Sequence, residues 1–328
     1  MRARDAGFDV LIGESGLPID DAWRAQRRDQ LLQHYQRLQP DILITETYPF
    51  GRRQFTYELD ELLDTAHASN NPPLIAASVR DILVRKDKLS TEQWMANQAR
   101  GHYDRVLVHA DPSFVRLEDS FPFADQIDDL VSYTGYIHGA ATDPESGDEG
   151  RDEILVSCGG GAVGRRLLDC AMVARSLSKA AGDTTWRLLI GHDHADATLN
   201  ALQLTAPRGI EVERARPDFP TMLKRCRASV SQAGYNTVMD ILIAGCPAVY
   251  VPFAEQGQTE QQQRAKLLED KGRAVVADEA TLSPDRLAEA VDEALMQRPA
   301  KFDVDVDGAA TSADILLRDL QRKRAGVQ

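Results

Sequence analysis

The chain is 328 residues long, 43% hydrophobic and 27% charged, with a formal net charge of −13. That length supports two domains with separate cores. The acidic balance excludes a general nucleic-acid binder, which needs a basic face, and no run of about 18 apolar residues is present to span a bilayer.

In chain order, Asp20-Asp21 can cap a helix whose Leu31, Leu32, Tyr35 and Leu38 follow helical spacing, and Pro40 stops it. Residues 41–45 (DILIT) read as a buried strand. Leu59, Leu62, Leu63 and Ala66 mark a second helix, and 74–78 a second strand. Ser90 with Gln93 has the spacing of a capping box for a third helix. Strands are expected at 106–109 and 132–137. The stretch 139–152 (GAATDPESGDEGRD) is acidic and rich in breakers, as a linker would be.

The alternation then restarts. A strand at 154–157 enters a glycine turn, Gly159-Gly160-Gly161, followed by a helix over 163–179 and a strand at 186–190. A helix near 195–202 and strands at 211–213, 228–231, 248–251 and 274–277 come next. Ser283-Pro284-Asp285 is a capped helix start with proline in the first turn, and 311–324 reads as a last charged helix. Repeated strand–helix alternation predicts an α/β protein: two Rossmann-like, doubly wound parallel-sheet domains facing a cleft, with ligands beyond the carboxyl ends of strands. The expected boundaries are 1–140 for the N-terminal domain, 141–152 for the linker, and 153–328 for the C-terminal domain, last helix included.

The densest chemistry lies between Ser231 and Ala265. Gly234 leaves room for close backbone approach to a ligand. Asn236 and Thr237 open the next helix, where free N–H groups and the helix dipole favour a phosphate. Asp240, one turn on, can accept hydrogen bonds from a ribose diol, and Glu260-Gln261 offer oxygens and an amide to sugar hydroxyls. Together these suggest a nucleotide-sugar site.

In the first domain, Glu46 follows a buried strand and can take a proton from an acceptor hydroxyl, or equally serve as a helix cap or as partner of Arg52 or Arg53. Those two arginines can bind an acceptor or donor phosphate, or stand as a solvated pair. Arg80 and His109 also follow strands; either lines the ligand site, with His109 a second choice of base, or caps and pairs locally. His192 and His194 lack a third ligand for a metal. The start MRARDAGFD has no apolar signal core, and Cys158, Cys170, Cys226 and Cys246 fit no zinc spacing, so buried free thiols in a cytoplasmic protein are expected. No cofactor or metal is expected.

The stretch Gln232-Ala-Gly-Tyr-Asn-Thr-Val-Met-Asp240, then Gly245-Cys-Pro247, then Glu260-Gln261 before Arg264-Ala265, resembles the donor box of GT-B glycosyltransferases. The similarity is to the family 28 C-terminal domain group, predicted bacterial glycosyltransferases related to the lipid II-forming N-acetylglucosaminyl transferase, and to the donor box of plant and animal UDP-glycosyltransferases. Ser157-Cys-Gly-Gly-Gly161 is similar to the interdomain glycine loop of that fold, and Leu107–Asp111 with Tyr133–Tyr136 to the end of its first domain.

The resemblance implies that Gly159, Gly160, Gly161, Gln232, Gly234, Asn236 and Thr237 hold the donor diphosphate, Asp240 the ribose, and Glu260 and Gln261 the sugar. Two departures are Gln232, where the plant group has histidine, and Asp240, a methylene shorter than the usual glutamate. The implied reaction is metal-independent transfer of a hexose, with inversion, from a UDP-sugar to an acceptor hydroxyl. The glycine-rich first loop of the fold has no counterpart before Asp41, so the expectation is an N-terminal domain short of complete. That leaves a non-catalytic nucleotide-sugar sensor, or a chain needing a partner subunit, as alternatives, beside a UDP-sugar 2-epimerase on the same fold. The expected partners are a nucleotide-sugar donor and an acceptor, with peripheral membrane contact left open.

Overall fold

The computed structural model describes residues 2–3, 11–13, 18–139, 147–158, 164–192, 194–253, 259–297 and 304–326. The chain divides into two compact units, Met1–Ile137 with Val304–Gln328, and His138–Asp303.

The first unit opens with a short antiparallel pair, β1 (Arg2–Ala3) and β2 (Leu11–Ile12). Then follow α1 (Asp21–Leu38), β3 (Ile42–Glu46), α2 (Thr56–His67), β4 (Leu74–Arg80), α3 (Leu89–His102), β5 (Arg105–His109) and β6 (Val131–Tyr133). The strands β3 to β6 pair in sequence order, all parallel. Parallel neighbours need a crossover between them, which α2 and α3 supply for the first two steps. The N-terminus of α1 is capped as its sequence predicts: Asp20 accepts from the Trp23 backbone N–H at 2.8 Å. The capping box expected at Ser90 does not form. The N-cap residue is Lys88, without a side-chain cap, and Gln93 instead donates to Asn97 and Gln126 on the surface. Glu92 is the buried partner there, taking hydrogen bonds from Arg85 and from the Lys86 backbone.

The second unit comprises β7 (Ile154–Ser157), α4 (Arg165–Leu177), β8 (Trp186–Ile190), α5 (Asp196–Thr205), β9 (Ile210–Arg214), α6 (Phe219–Leu223), β10 (Ala228–Ser231), α7 (Tyr235–Ala244), β11 (Ala248–Tyr250), α8 (Glu260–Asp270), β12 (Val275–Val276) and α9 (Pro284–Met296). Its sheet has the order β12-β11-β10-β7-β8-β9, parallel throughout. The chain runs outward from β7 to β9, then returns to the other side of β7 with β10. The order therefore reverses between β7 and β10, the point at which such sheets bind ligands. Alternate residues of these strands, Ile154, Val156, Val230, Val249 and Val251, join Leu167, Leu287 and Val291 in one apolar core. Ser283 caps α9 by accepting from Arg286 N–H at 3.3 Å, with Pro284 in the first turn.

The last helix, α10 (Gly308–Arg324), corrects the expected boundary. It belongs to the first unit, not to the C-terminal domain. Ile315 and Leu316 pack with Leu74, Ala76 and Leu107 of that sheet. Arg105 Nε donates to Asp319 at 2.8 Å, and Lys323 reaches Asp104 and the Pro73 carbonyl, each at 2.8 Å. Sequence order hides this return, because a charged amphipathic helix names no partner.

Candidate functional site

At the switch point of the second unit, β7 delivers Ser157 and Cys158, and β10 delivers Ser231 and Gln232. Gly159, Gly160 and Gly161 lie outside the described residues. Gln232 is 7% exposed, and its Nε2 has no hydrogen-bond partner among the described residues. A side-chain amide is rarely left so, because a buried donor without an acceptor costs free energy. The amide faces the end of the β7–α4 connection: a Cβ placed on Gly164, whose φ is +100°, would lie 3.5 Å from Gln232 Nε2.

Gly234 is the N-cap of α7, at φ −66° and ψ 147°. Any residue adopts that backbone, so glycine is not required by conformation. Nor is it required by packing, since an added Cβ meets no described atom within 4 Å. Helix α7 starts without a side-chain cap, and its first internal bond runs from Val238 N–H to Gly234 O at 3.0 Å. The N–H groups of Asn236 and Thr237 therefore have no acceptor within the helix. Asn236 is exposed and Thr237 half-buried. The positive helix end and its two N–H groups without an intrahelical acceptor suit an anion, and Gln232, two residues before Gly234, is a further donor without a described partner.

Asp240 is half-buried one turn further along. Burial raises its pKa above the ordinary carboxylate value, opposed by the nearby charge of His138. On α8, Gln261 accepts from Phe253 N–H at 3.1 Å, which commits the carboxamide oxygen to the chain and leaves its NH₂ to donate. The neighbouring Glu260 keeps one buried carboxylate oxygen, Oε2, without a described hydrogen-bond partner. Two residues of this region have no role in the sequence analysis, where Arg264 stands only as the end of the donor-box stretch. Arg264 is 1% exposed and donates from Nη1 to Ala233 O at 2.7 Å, and His138 bears on Asp240 from the start of the second unit. An arginine four residues after Glu260, on the inward face of α8, was the available signal for the first; nothing local marks the second.

In the first unit, the remaining candidates gather at the carboxyl ends of β3, β4 and β5, with Glu46 opposite Ser78 and Arg80 opposite His109 in register. His109, the second choice of base, sits within the fold. It is 7% exposed, with Nε2 2.7 Å from Ser78 Oγ and Nδ1 2.9 Å from Thr134 Oγ1, so both ring nitrogens are engaged inside the fold. Burial lowers its pKa to about 4, and the imidazole is a neutral tie between strands. Glu46 is exposed and pairs with Arg52 at 2.9 Å. Arg53 lies over the Trp94 ring, 5.1 Å from its centroid, and Arg80 is exposed at the end of β4.

The loop between them is held firmly. Thr47 and Arg52 both have left-handed φ, 68° and 56°, a conformation that non-glycine residues adopt only where surroundings impose it. Those surroundings include Thr47 N–H to Ser78 O at 2.7 Å and the buried ring of Phe50 packed edge-on against Phe121 at 5.3 Å.

Residues 155–315 match the glycosyltransferase family 28 C-terminal domain. Among curated relatives, the UDP-N-acetylglucosamine–N-acetylmuramyl-(pentapeptide) pyrophosphoryl-undecaprenol N-acetylglucosamine transferase of Phenylobacterium zucineum is 28% identical over 243 residues, covering 70% of this chain and 63% of the relative. The enzyme of the same name from Exiguobacterium sibiricum is 27% identical over 180 residues, 53% of this chain and 49% of its own length. The chain thus spans less than two thirds of these relatives. Among solved structures, the calicheamicin glycosyltransferase CalG4 superposes with a TM-score of 0.56 at 16% identity, covering 97% of this chain and 82% of that one. Acinetobacter baumannii MurG gives 0.56 at 15% identity, covering 94% and 83%. At such identities the likeness establishes the fold: two Rossmann-like units of the GT-B class.

Proposed function

We propose that this chain, a GT-B protein whose residues 155–315 match the glycosyltransferase family 28 C-terminal domain, is a glycosyltransferase that takes a glycosyl unit from a nucleoside-diphosphate sugar. One observation carries the reading: Gly234 is demanded neither by its backbone nor by its described neighbours, and it opens an uncapped helix two residues after Gln232, whose buried Nε2 has no hydrogen-bond partner among the described residues. A diphosphate approaching Gly234 accounts for all three. Asn236 and Thr237 N–H and Gln232 Nε2 donate to its oxygens, Asp240 accepts from the ribose diol, and Gln261 NH₂ and Glu260 engage the sugar hydroxyls. The names of the relatives support UDP as the carrier.

In transfer, an acceptor hydroxyl loses its proton to a base and attacks the anomeric carbon, while the bond to the diphosphate breaks and negative charge grows on the leaving group. Donors already aimed at that position stabilise it without reorganising. With His109 spent in the fold, Glu46 is the carboxylate assigned as base, held by Arg52 on a rigid loop, and Arg53 and Arg80 offer positive charge to an anionic acceptor. The test is release of UDP from a panel of UDP-sugars with and without added acceptors. Acceptor-dependent release supports transfer; tight UDP-sugar binding with no turnover under any acceptor assigns the chain to donor binding alone.

A further inference from the structure

We infer that Arg264 is a positioning residue for the donor diphosphate, fixing the Gln232–Tyr235 turn from behind so that its donors face the ligand. The inference rests on the donor site proposed above and deepens it. Arg264 sits one turn into α8, on the helix that carries Glu260 and Gln261. Its side chain runs inward, 1% exposed, and Nη1 donates to the carbonyl of Ala233 at 2.7 Å. Its guanidinium lies 6.0 Å from the centroid of the Tyr235 ring. Ala233 and Tyr235 flank Gly234, the residue around which the diphosphate is placed.

Two physical consequences follow. A peptide unit is planar, so holding the Ala233 carbonyl fixes the plane of the Ala233–Gly234 peptide and the direction in which Gly234 enters α7. With no side-chain cap on that helix, Arg264 is the described side chain that hydrogen-bonds this backbone. The contact also ties the sugar-facing start of α8 to the phosphate-facing start of α7. A planar guanidinium donates in a fixed fork, which an ammonium cannot copy.

The experiment uses the full chain with Arg264→Met and Arg264→Lys, and titrates each with UDP and with uridine, which lacks the phosphates. Circular dichroism and thermal melting check that each variant is folded. Arg264→Met is expected to bind UDP at least about tenfold more weakly, with uridine affinity within about twofold of the parent, and Arg264→Lys to fall between. Equal losses for UDP and uridine overturn the inference, because they mark general loosening of the unit. UDP binding unchanged in the methionine variant also overturns it, while leaving the donor site standing. Failure of the parent itself to bind UDP removes the donor site and the inference with it. Should the methionine variant not fold, the lysine variant decides by the same comparison of UDP against uridine.

Discussion

Gly234 and Gln232 carry the reading at the scale of single residues, and neither does so through its motif alone. A glycine after a strand is expected wherever the backbone needs freedom, yet Gly234 has an ordinary φ. No described atom lies within 4 Å of a Cβ built on it, so neither backbone nor described packing calls for glycine there. Asp240 gives a two-sided prediction. Its pKa is raised by burial, so at neutral pH the ionised form weighs against the fold, and this penalty grows as pH rises from the unfolded carboxylate range. Asp240→Asn is expected to raise the thermal midpoint of the ligand-free protein at pH 7 and to weaken UDP binding by about 1–3 kcal/mol. Calorimetry checks both; unchanged UDP affinity removes Asp240 from the ribose position.

His109 gives a second prediction, of opposite sign in pH. Its folded pKa of about 4 lies below that of an exposed histidine. The unfolded chain therefore takes up the proton first, and stability is lost as pH falls from about 6.5 toward 4. Urea unfolding at pH 7.5 and pH 5 should show a smaller loss in His109→Asn than in the parent, by roughly 1–2 kcal/mol. Equal losses would mean that the imidazole is not held neutral. For Glu46, replacement by glutamine should lower acceptor-dependent turnover by about 10²–10⁴-fold with UDP affinity unchanged.

The alternation of strand and helix was readable at the element scale, because buried parallel strands appear as short apolar runs and helices as periodic faces. The proposed donor residues of the second unit could be named together because they lie in one contiguous stretch from β10 to α8. What escaped were relations between distant segments. The pairing of Arg105 with Asp319 spans 214 positions, and no periodicity announces it. The capping box at Ser90 failed for a local reason: the buried Glu92 carboxylate accepts from the half-exposed Arg85 guanidinium and from the Lys86 N–H, and the helix starts around that carboxylate instead. Breaking the α10 contact with Asp319→Ala should destabilise the first unit by about 1.5–3 kcal/mol, the worth of a hydrogen bond to a charged group. Two-probe unfolding can read this, and a loss in the second unit instead would contradict the assignment of α10.

The whole molecule comprises a unit whose sheet order reverses between β7 and β10 and a unit whose strand ends carry Glu46 and Arg80. The central claim is that the β10–α7 turn of the second unit receives a nucleoside diphosphate against Gly234. Replacing Gly234 by valine tests this most directly, because the backbone accepts a side chain there and no described atom obstructs it. Titration of UDP into the Gly234→Val protein should show affinity reduced at least about tenfold, with the thermal midpoint of the ligand-free protein essentially that of the parent. UDP binding undiminished in the folded variant would contradict the account.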